Sequence, residues 1–274
     1  MPRIYDIIKA PQDLTYLTWD ERSAPSGAPG TSPKAREGTG AHAIIYQLPQ
    51  SPAVPGEVNP DLLCQLLSSR LMELLGIPHA PITLIRAYVR RNRRTELTWL
   101  TKTRPNRRQN QQKASLAQVF GTMGRPDETP LEFCQRNDWL PQISGMFLVD
   151  YLSANRSRTG VQIEVARNPD GSLEMAPLLP SSQCFTTSFR MQMWRSRPLE
   201  PIRANNFLGS ADAAGNLLLM DPSFSCAPLT TASRAAFLAG LKSIADGASL
   251  NGAWTIVWKR WQAYQELLGS GRAE

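Results

Sequence analysis

Histidine is the scarcest catalytic residue type in this 274-residue chain: His42 and His79 are the only two. A Ser-His-Asp or Cys-His unit would have to take its base from one of them. His79 sits in "GIPHAP", a turn after a helical run, and His42 at the start of an apolar stretch, so both read as structural. The cysteines, Cys64, Cys134, Cys184 and Cys226, lie far apart and form no Cys-x-x-Cys pair. That spacing excludes the usual zinc sites and a disulfide framework, and is expected of reduced thiols in a cytoplasmic protein. There is no run of about 18 apolar residues, so no membrane-spanning helix is expected. The start, "MPRIYDIIKAPQDL", lacks the apolar core of a signal peptide. The most informative shortage is of acids. From Tyr151 to Ile163, "YLSANRSRTGVQI", there is no carboxylate, and between residues 151 and 190 the acids are Glu164, Asp170 and Glu174.

What is present is enough for a large domain or two lobes: 42% of the residues are hydrophobic. The net charge of +7 is concentrated. Residues 90–113, "RRNRRTELTWLTKTRPNRRQNQQK", hold nine Lys/Arg and one acid, a net +8, which leaves −1 for the other 250 residues.

Along the chain, residues 1–20 read as a short strand or helix with Trp19 near its end. Residues 21–41, rich in Gly, Pro and Ser, read as a loop or mobile hairpin. "HAIIYQLPQ" is an apolar, β-branched strand ended by Pro49. "NPDLLCQLLSSRLMELLGIP" is a helix capped by Asn59, with Pro60 in its first turn and Gly76 just past its end. "ITLIRAYVRR" and "TELTWLTK" alternate around a short polar turn and predict a hairpin. After residue 114 the pattern turns helical in "SLAQVFG", "TPLEFCQRN" and "LPQISGMFLVDYLSAN". "GVQIEVARNPDGSLEMAPLL" is a hairpin with Asn-Pro-Asp-Gly as its turn. "SRAAFLAGLKSIADG" and "GAWTIVWKRWQAYQELLG" are helical again. Trp254, Trp258 and Trp261 share a helix face and read as core packing. "NLLLMDPSF" places Asp221 after an apolar run, where it reads as a turn aspartate before Pro222.

Strand, Gly-rich loop, strand, helix, two strands, then a mostly helical remainder is the order of a two-lobed protein kinase. The chain resembles HipA-like (CtkA-like) bacterial Ser/Thr kinases from about residue 16 onward. "GAPGTSPKA" looks like their phosphate loop. "AIIYQLPQ" looks like their strand that reads apolar, apolar, Lys, apolar, Pro. "LLSSRLMELLGIPHA" is similar to their helix ending in Arg-Leu…Leu-Gly-Ile-Pro. "TKTRPNRR…SLAQVFG" looks like their Arg-Phe-Asp-Arg connector. "DYLSANRSRTGVQI" resembles their catalytic loop, Asn-x-Asp-Arg-His followed by a metal-binding Asn, and "EMAPLLPSSQCF" their Ala-Pro-x-x-Asp metal loop. The resemblance implies an α+β, two-lobed kinase-like fold, with a β-rich N-lobe over residues 1–104 and a helical C-lobe over 105–274.

It also implies losses. The nucleotide lysine falls on Gln47 and its helix-borne glutamate partner near Gln65. The catalytic-base aspartate falls on Ser157, the following histidine on Thr159, the metal-binding asparagine on Gln162, the metal-binding aspartate on Pro180 and the connector aspartate on Asn106. Asp150, Asn155 and Arg158 remain as structural residues. Replacing a Lys–Glu pair by two amides strands no charge, unlike random decay of one partner. Mg²⁺ needs hard anionic oxygens, which Ser157, Gln162 and Pro180 do not supply. The expectation is therefore a pseudokinase: no cofactor, little or no Mg-ATP binding, and a role as a protein-interaction or scaffold component of a bacterial assembly. An alternative is nucleic-acid binding through the basic segment, with Arg90, Arg91, Arg93, Arg94, Trp99, Lys102, Arg104, Arg107 and Arg108 as candidates for phosphate contact and stacking. A further alternative is an atypical enzyme holding a nucleotide without Mg²⁺.

Overall fold

The computed structural model describes residues 6–20, 32–39, 43–49, 58–104, 111–155, 158, 160, 162–181, 184–185, 207–208 and 213–270. At its centre lies helix α1 (Pro60–Leu75). The Asn59 side chain accepts from the Asp61 N–H, and Pro60 occupies the first turn, where a missing N–H costs no bond. Gly76, at φ 71°, ends the helix, and the next N–H, of Ile77, returns to the Met72 carbonyl. Its leucines span a wide arc, and Gln65, Ser68, Ser69 and Met72 on the remaining side are buried as well, so it is covered nearly all round. All but three of its sixteen residues are buried.

One cover is a five-stranded sheet of β1 (Ile7–Leu14), β2 (Lys34–Glu37), β3 (Ile44–Gln47), β4 (Ile82–Arg91) and β5 (Arg94–Thr103). The order is β1-β4-β5-β3-β2, with β1 parallel to β4 and the other pairs antiparallel. Alternation splits β4 between two cores. Ile82 and Leu84 join the α1 core, while Ile85, Ala87 and Val89 pack with Leu14, Tyr46 and Leu100 on the other face. The β4–β5 turn is Asn92-Arg93, both with positive φ, as a two-residue hairpin turn requires.

The other cover is the C-terminal part. It contains a sheet of β6 (Gln112–Ser115), β7 (Glu164–Arg167) and β8 (Leu173–Met175), in that order. Around it lie α2 (Leu116–Met123), α3 (Pro130–Arg136), α4 (Leu140–Leu152), α5 (Ala213–Leu217), α6 (Ser233–Phe237) and α7 (Gly247–Ser270). Ser115/Gln118 and Thr129/Glu132 start α2 and α3 as reciprocal capping boxes. The two parts are tied through backbone bonds from Ala80 to Leu178, Leu178 to Pro78 and Ala227 to Leu75. Buried Arg70 grips Asp6 through Nε (2.5 Å) and Nη2 (2.9 Å) and donates to the Phe237 carbonyl through Nη1 (2.8 Å).

Three local expectations are corrected. Strand β2 lies inside the stretch read as a loop or mobile hairpin, and is an ordered strand paired antiparallel with β3. Its sequence, Lys-Ala-Arg-Glu, has no apolar alternation, so only pairing with β3 defines it. Strand β6, equally polar, emerges from the connector through pairing with β7. "SRAAFLAGLKSIADG" is helical only over Ser233–Phe237 and continues as turns, with Gly240 at φ 70°. The tryptophan stripe of α7 packs as predicted: Trp254 lies against Phe237 at 5.5 Å and stacks on Trp258 at 5.9 Å. Among the described residues, no helix is long and apolar enough to cross a membrane.

Candidate functional site

The candidate cleft can be built from one row of the five-stranded sheet. In register across it stand Ile7, Leu84, Thr101, Gln47 and Lys34. Residues directly opposed in an antiparallel ladder project from the same face. That face meets α1, since the Thr101 hydroxyl donates to Gln65 Oε1 at 3.1 Å. The two amides singled out from the sequence, Gln47 and Gln65, therefore converge on Thr101. Gln65 is buried in α1, and Gln47 is half-buried in β3.

The same row holds the lysine of the "GAPGTSPKA" stretch likened to a phosphate loop. Lys34, opposite Gln47, is 4% exposed. Burial pushes its ammonium below the usual lysine range, and the charge of Glu164 pulls the other way. Glu164, at the start of β7, also receives the Lys113 ammonium from β6. A lysine in a stretch that reads as Gly/Pro/Ser loop gives no local sign of burial; only the β2–β3 pairing reveals it.

Below the sheet, α4 leads into the loop resembling a catalytic loop. Asp150 Oδ1 accepts from Asn155 Nδ2 (2.7 Å) and Arg158 Nη2 (2.9 Å), and Oδ2 accepts from Arg158 Nε (3.0 Å). Arg158 Nη1 donates to the Leu179 carbonyl (3.1 Å), and the Ser181 hydroxyl donates to Asn155 Oδ1 (3.0 Å). This network joins the α4 loop to the segment around half-buried Pro180. Gly160 belongs here because a Cβ would come within 2.7 Å of the Phe207 ring. Gln162 is half-buried just before β7. Ser157, Thr159 and Asn106 lie outside the described residues. Among the described residues, no group of three or more His, Cys, Asp or Glu is placed to hold a metal ion.

The basic segment is divided by the hairpin. Arg86, Tyr88 and Arg90 alternate on one face of β4, opposite Trp99, Leu97 and Thr95 of β5. Tyr88 and Leu97 are 43% and 38% exposed, whereas Trp99 is 7% exposed and belongs to the main core. Trp99 is thus not available for stacking; its place inside the basic segment concealed that its face turns inward. Lys102 lies on the opposite face, 5.8 Å from the Tyr46 ring centroid. Arg91, Arg93 and Arg94 cluster at the tip, with Arg91 3.9 Å from Glu96, and Arg104 is exposed. Arg107 and Arg108 lie outside the described residues.

The remaining candidates are structural. His79 Nδ1 donates to the Ile77 carbonyl (2.9 Å), and its Nε2 accepts from Ser69 Oγ (3.1 Å), whose oxygen also accepts the Ile82 N–H. His42 lies outside the described residues. Burial pushes the Cys134 thiol up to about 12 and Cys226 up to about 11. Burial chiefly raises Cys184 as well, and its thiol donates to the Ser181 carbonyl at 2.9 Å. Such thiols are poor nucleophiles. Asp221 makes a turn, accepting from the Ser223 N–H (2.8 Å) and hydroxyl (2.7 Å).

No protein-family model matches the chain, and no curated protein matches it. Among solved structures it is similar to the Helicobacter pylori proinflammatory kinase CtkA, with a TM-score of 0.60 over 94% of this chain and 98% of that chain, at 11% identity. It also aligns with the Shewanella oneidensis MR-1 toxin–antitoxin structure of HipA, HipB and operator DNA, over 83% of this chain and 52% of that chain, at 13% identity and a TM-score of 0.32. The CtkA match shows the CtkA-like, α+β kinase fold that the order of motifs predicted.

Proposed function

We propose that this protein is a HipA/CtkA-like kinase fold that does not carry out metal-dependent phosphoryl transfer, and that it serves as a binding module for a protein partner in a bacterial assembly. The observation carrying this reading is the state of the cleft's carboxylates. Asp150 is held by Arg158 and Asn155, and Glu164 by Lys113. Phosphoryl transfer depends on carboxylates that hold Mg²⁺ and orient the nucleophile, together with a lysine–glutamate pair that positions the phosphates. Carboxylates engaged by arginine and lysine are poor metal ligands, and Gln47 with Gln65 makes a neutral pair at the strand–helix position. The test is incubation of the full chain with radiolabelled ATP and Mg²⁺ or Mn²⁺. No transfer to itself or to generic substrates is expected. Transfer that disappears in Glu164→Gln would overturn the reading.

A second reading is nucleic-acid binding by the hairpin. It is favoured by the exposed Tyr88–Leu97 pair between Arg86 and Arg90, which joins a π-face to flanking cations. Its signature is affinity for single-stranded nucleic acid that falls steeply from low to moderate salt.

A further inference from the structure

Away from the cleft, the C-terminal part leaves a concave surface open to solvent. The chain ends α6 at Phe237, continues as turns through Gly240 at φ 70°, and returns as α7. Between these two runs lies a groove of two joined compartments, of about 820 and 300 Å³. Its floor is Gly247, Leu250, Asn251, Trp254, Thr255 and Trp258, which repeat every three or four residues along one stripe of α7. Its wall is Thr231, Arg234, Ala235, Leu238 and Ala239, at the same spacing. Two such stripes side by side leave a trough in which a third helix can pack. From Gly247 to Trp258 the trough runs about 16 Å, or three turns of helix. At its narrow end half-buried Trp258 stacks on Trp254 at 5.9 Å. Arg234 and Asn251 line both compartments, and Arg234 Nη2 donates to Asn251 Oδ1 at 2.9 Å, which holds the guanidinium at their junction. Lys242 is exposed on the rim, and Lys9 of β1 reaches the far end by donating to the Ser243 hydroxyl at 2.6 Å. Among the described residues that line the groove there is no acid. Asp246, beside it, caps α7 by accepting the Ser249 N–H at 2.8 Å.

We propose that this groove docks an acidic amphipathic helix of a partner protein, about three turns long. Apolar side chains of that helix enter the two compartments, and carboxylates beside them meet Arg234 and Lys242. The proposal rests on the binding-module reading and supplies the partner's chemistry and its seat. Charge complementarity selects the occupant. Cations along an apolar floor, with no acid among them, match apolar anchors flanked by Asp or Glu and repel a basic helix. The floor also offers the residue types that dominate interface energies, since Trp258 and Arg234 line the same compartment. The groove exists because the turns after α6 leave this stripe of α7 without a helical neighbour along its length.

The experiment selects displayed peptide helices of about three turns on the full chain. The peptides carry randomised apolar anchors at i, i+3, i+4 and i+7, flanked either by glutamate or by lysine. Glutamate-flanked helices should be enriched over lysine-flanked ones, and their affinity should fall with salt. Ala235→Glu and Ala239→Glu, both at exposed positions of the wall, should each weaken the selected peptide about tenfold or more while leaving the melting temperature unchanged. Arg234→Glu with Lys242→Glu should weaken it similarly and should retain the lysine-flanked form of the same peptide instead. A photo-crosslinking residue at Thr255 should join to the bound peptide. The proposal is overturned if no glutamate-flanked helix is enriched, or if the selected peptides bind the wall variants and the charge-reversed variant like the parent. Dimerisation in sedimentation that Ala235→Glu abolishes assigns the groove to a second copy of this chain and overturns it too. The two readings fail separately. A host partner retained equally by the parent and by Ala235→Glu refutes the groove alone. Phosphoryl transfer from ATP, with peptide binding in the groove intact, refutes the non-catalytic reading alone.

Discussion

Removing the Asp150 carboxylate tests whether the α4 loop is a structural joint or a disguised catalytic centre. Asp150→Ala deletes three hydrogen bonds at once, those from Asn155 Nδ2, Arg158 Nε and Arg158 Nη2. It leaves the Arg158 guanidinium, 7% exposed, with the Leu179 carbonyl as its remaining acceptor in this network. An uncompensated buried charge costs about 3–5 kcal/mol. The surviving bond and the partial exposure of Asp150 place the expected loss near the lower end, about 3 kcal/mol. For a chain of this length that is a fall of about 6–12 °C in melting temperature. The double change Asp150→Ala with Arg158→Met removes the stranded charge and keeps an apolar stem, so it should return to within about 1–2 kcal/mol of the parent. Urea midpoints and thermal melts of the parent, both single variants and the double form a complete cycle. Melting of Asp150→Ala together with the parent would refute the structural assignment. So would a double variant less stable than Asp150→Ala.

Three further outcomes follow from the geometry. Arg91→Glu, Arg93→Glu and Arg94→Glu together should leave the melting temperature almost unchanged, since the tip is exposed and the Arg91–Glu96 pair is long and solvated; binding to the partner recovered from the host should fall and become less salt-dependent, and binding indifferent to both would make the tip a solvated surface only. Arg93→Gly should raise the unfolding free energy by about 0.5 kcal/mol, and the urea midpoint with it, because Arg93 sits at φ 64° in a two-residue turn whose second position favours glycine; a lower midpoint would show that the arginine side chain stabilises the turn. Burial depresses the pKa of His79 below 6.5, so the unfolded chain binds the extra proton first as pH falls. The stability His79 contributes is present above pH 6.5 and is lost as pH falls toward its folded value; His79→Gln should flatten the drop in urea midpoint between about pH 7.5 and about 5.5, and an unchanged slope would exclude His79 as its source.

Much of this molecule is settled by local chemistry. Asn59, Pro60 and Gly76 bound α1 because a cap acceptor, a first-turn proline and a left-handed glycine act within a few residues of the chain. The β4–β5 hairpin is equally local, since strict alternation and a short polar turn suffice. The order of motifs, each short and altered, is what made the kinase-like fold readable. Tertiary structure decided what has no local signature. Strands β2 and β6 are polar and four residues long, and they exist because a neighbouring strand offers unpaired backbone groups. Burial of Lys34 follows from that pairing and from Glu164, which lies 130 positions later in sequence. Trp99 and Tyr88 are both aromatic residues in alternating strands with basic neighbours, yet one is core and the other surface. Which face of a sheet turns inward depends on what packs against it, and here that is α1, whose position is set by contacts on both sides at once.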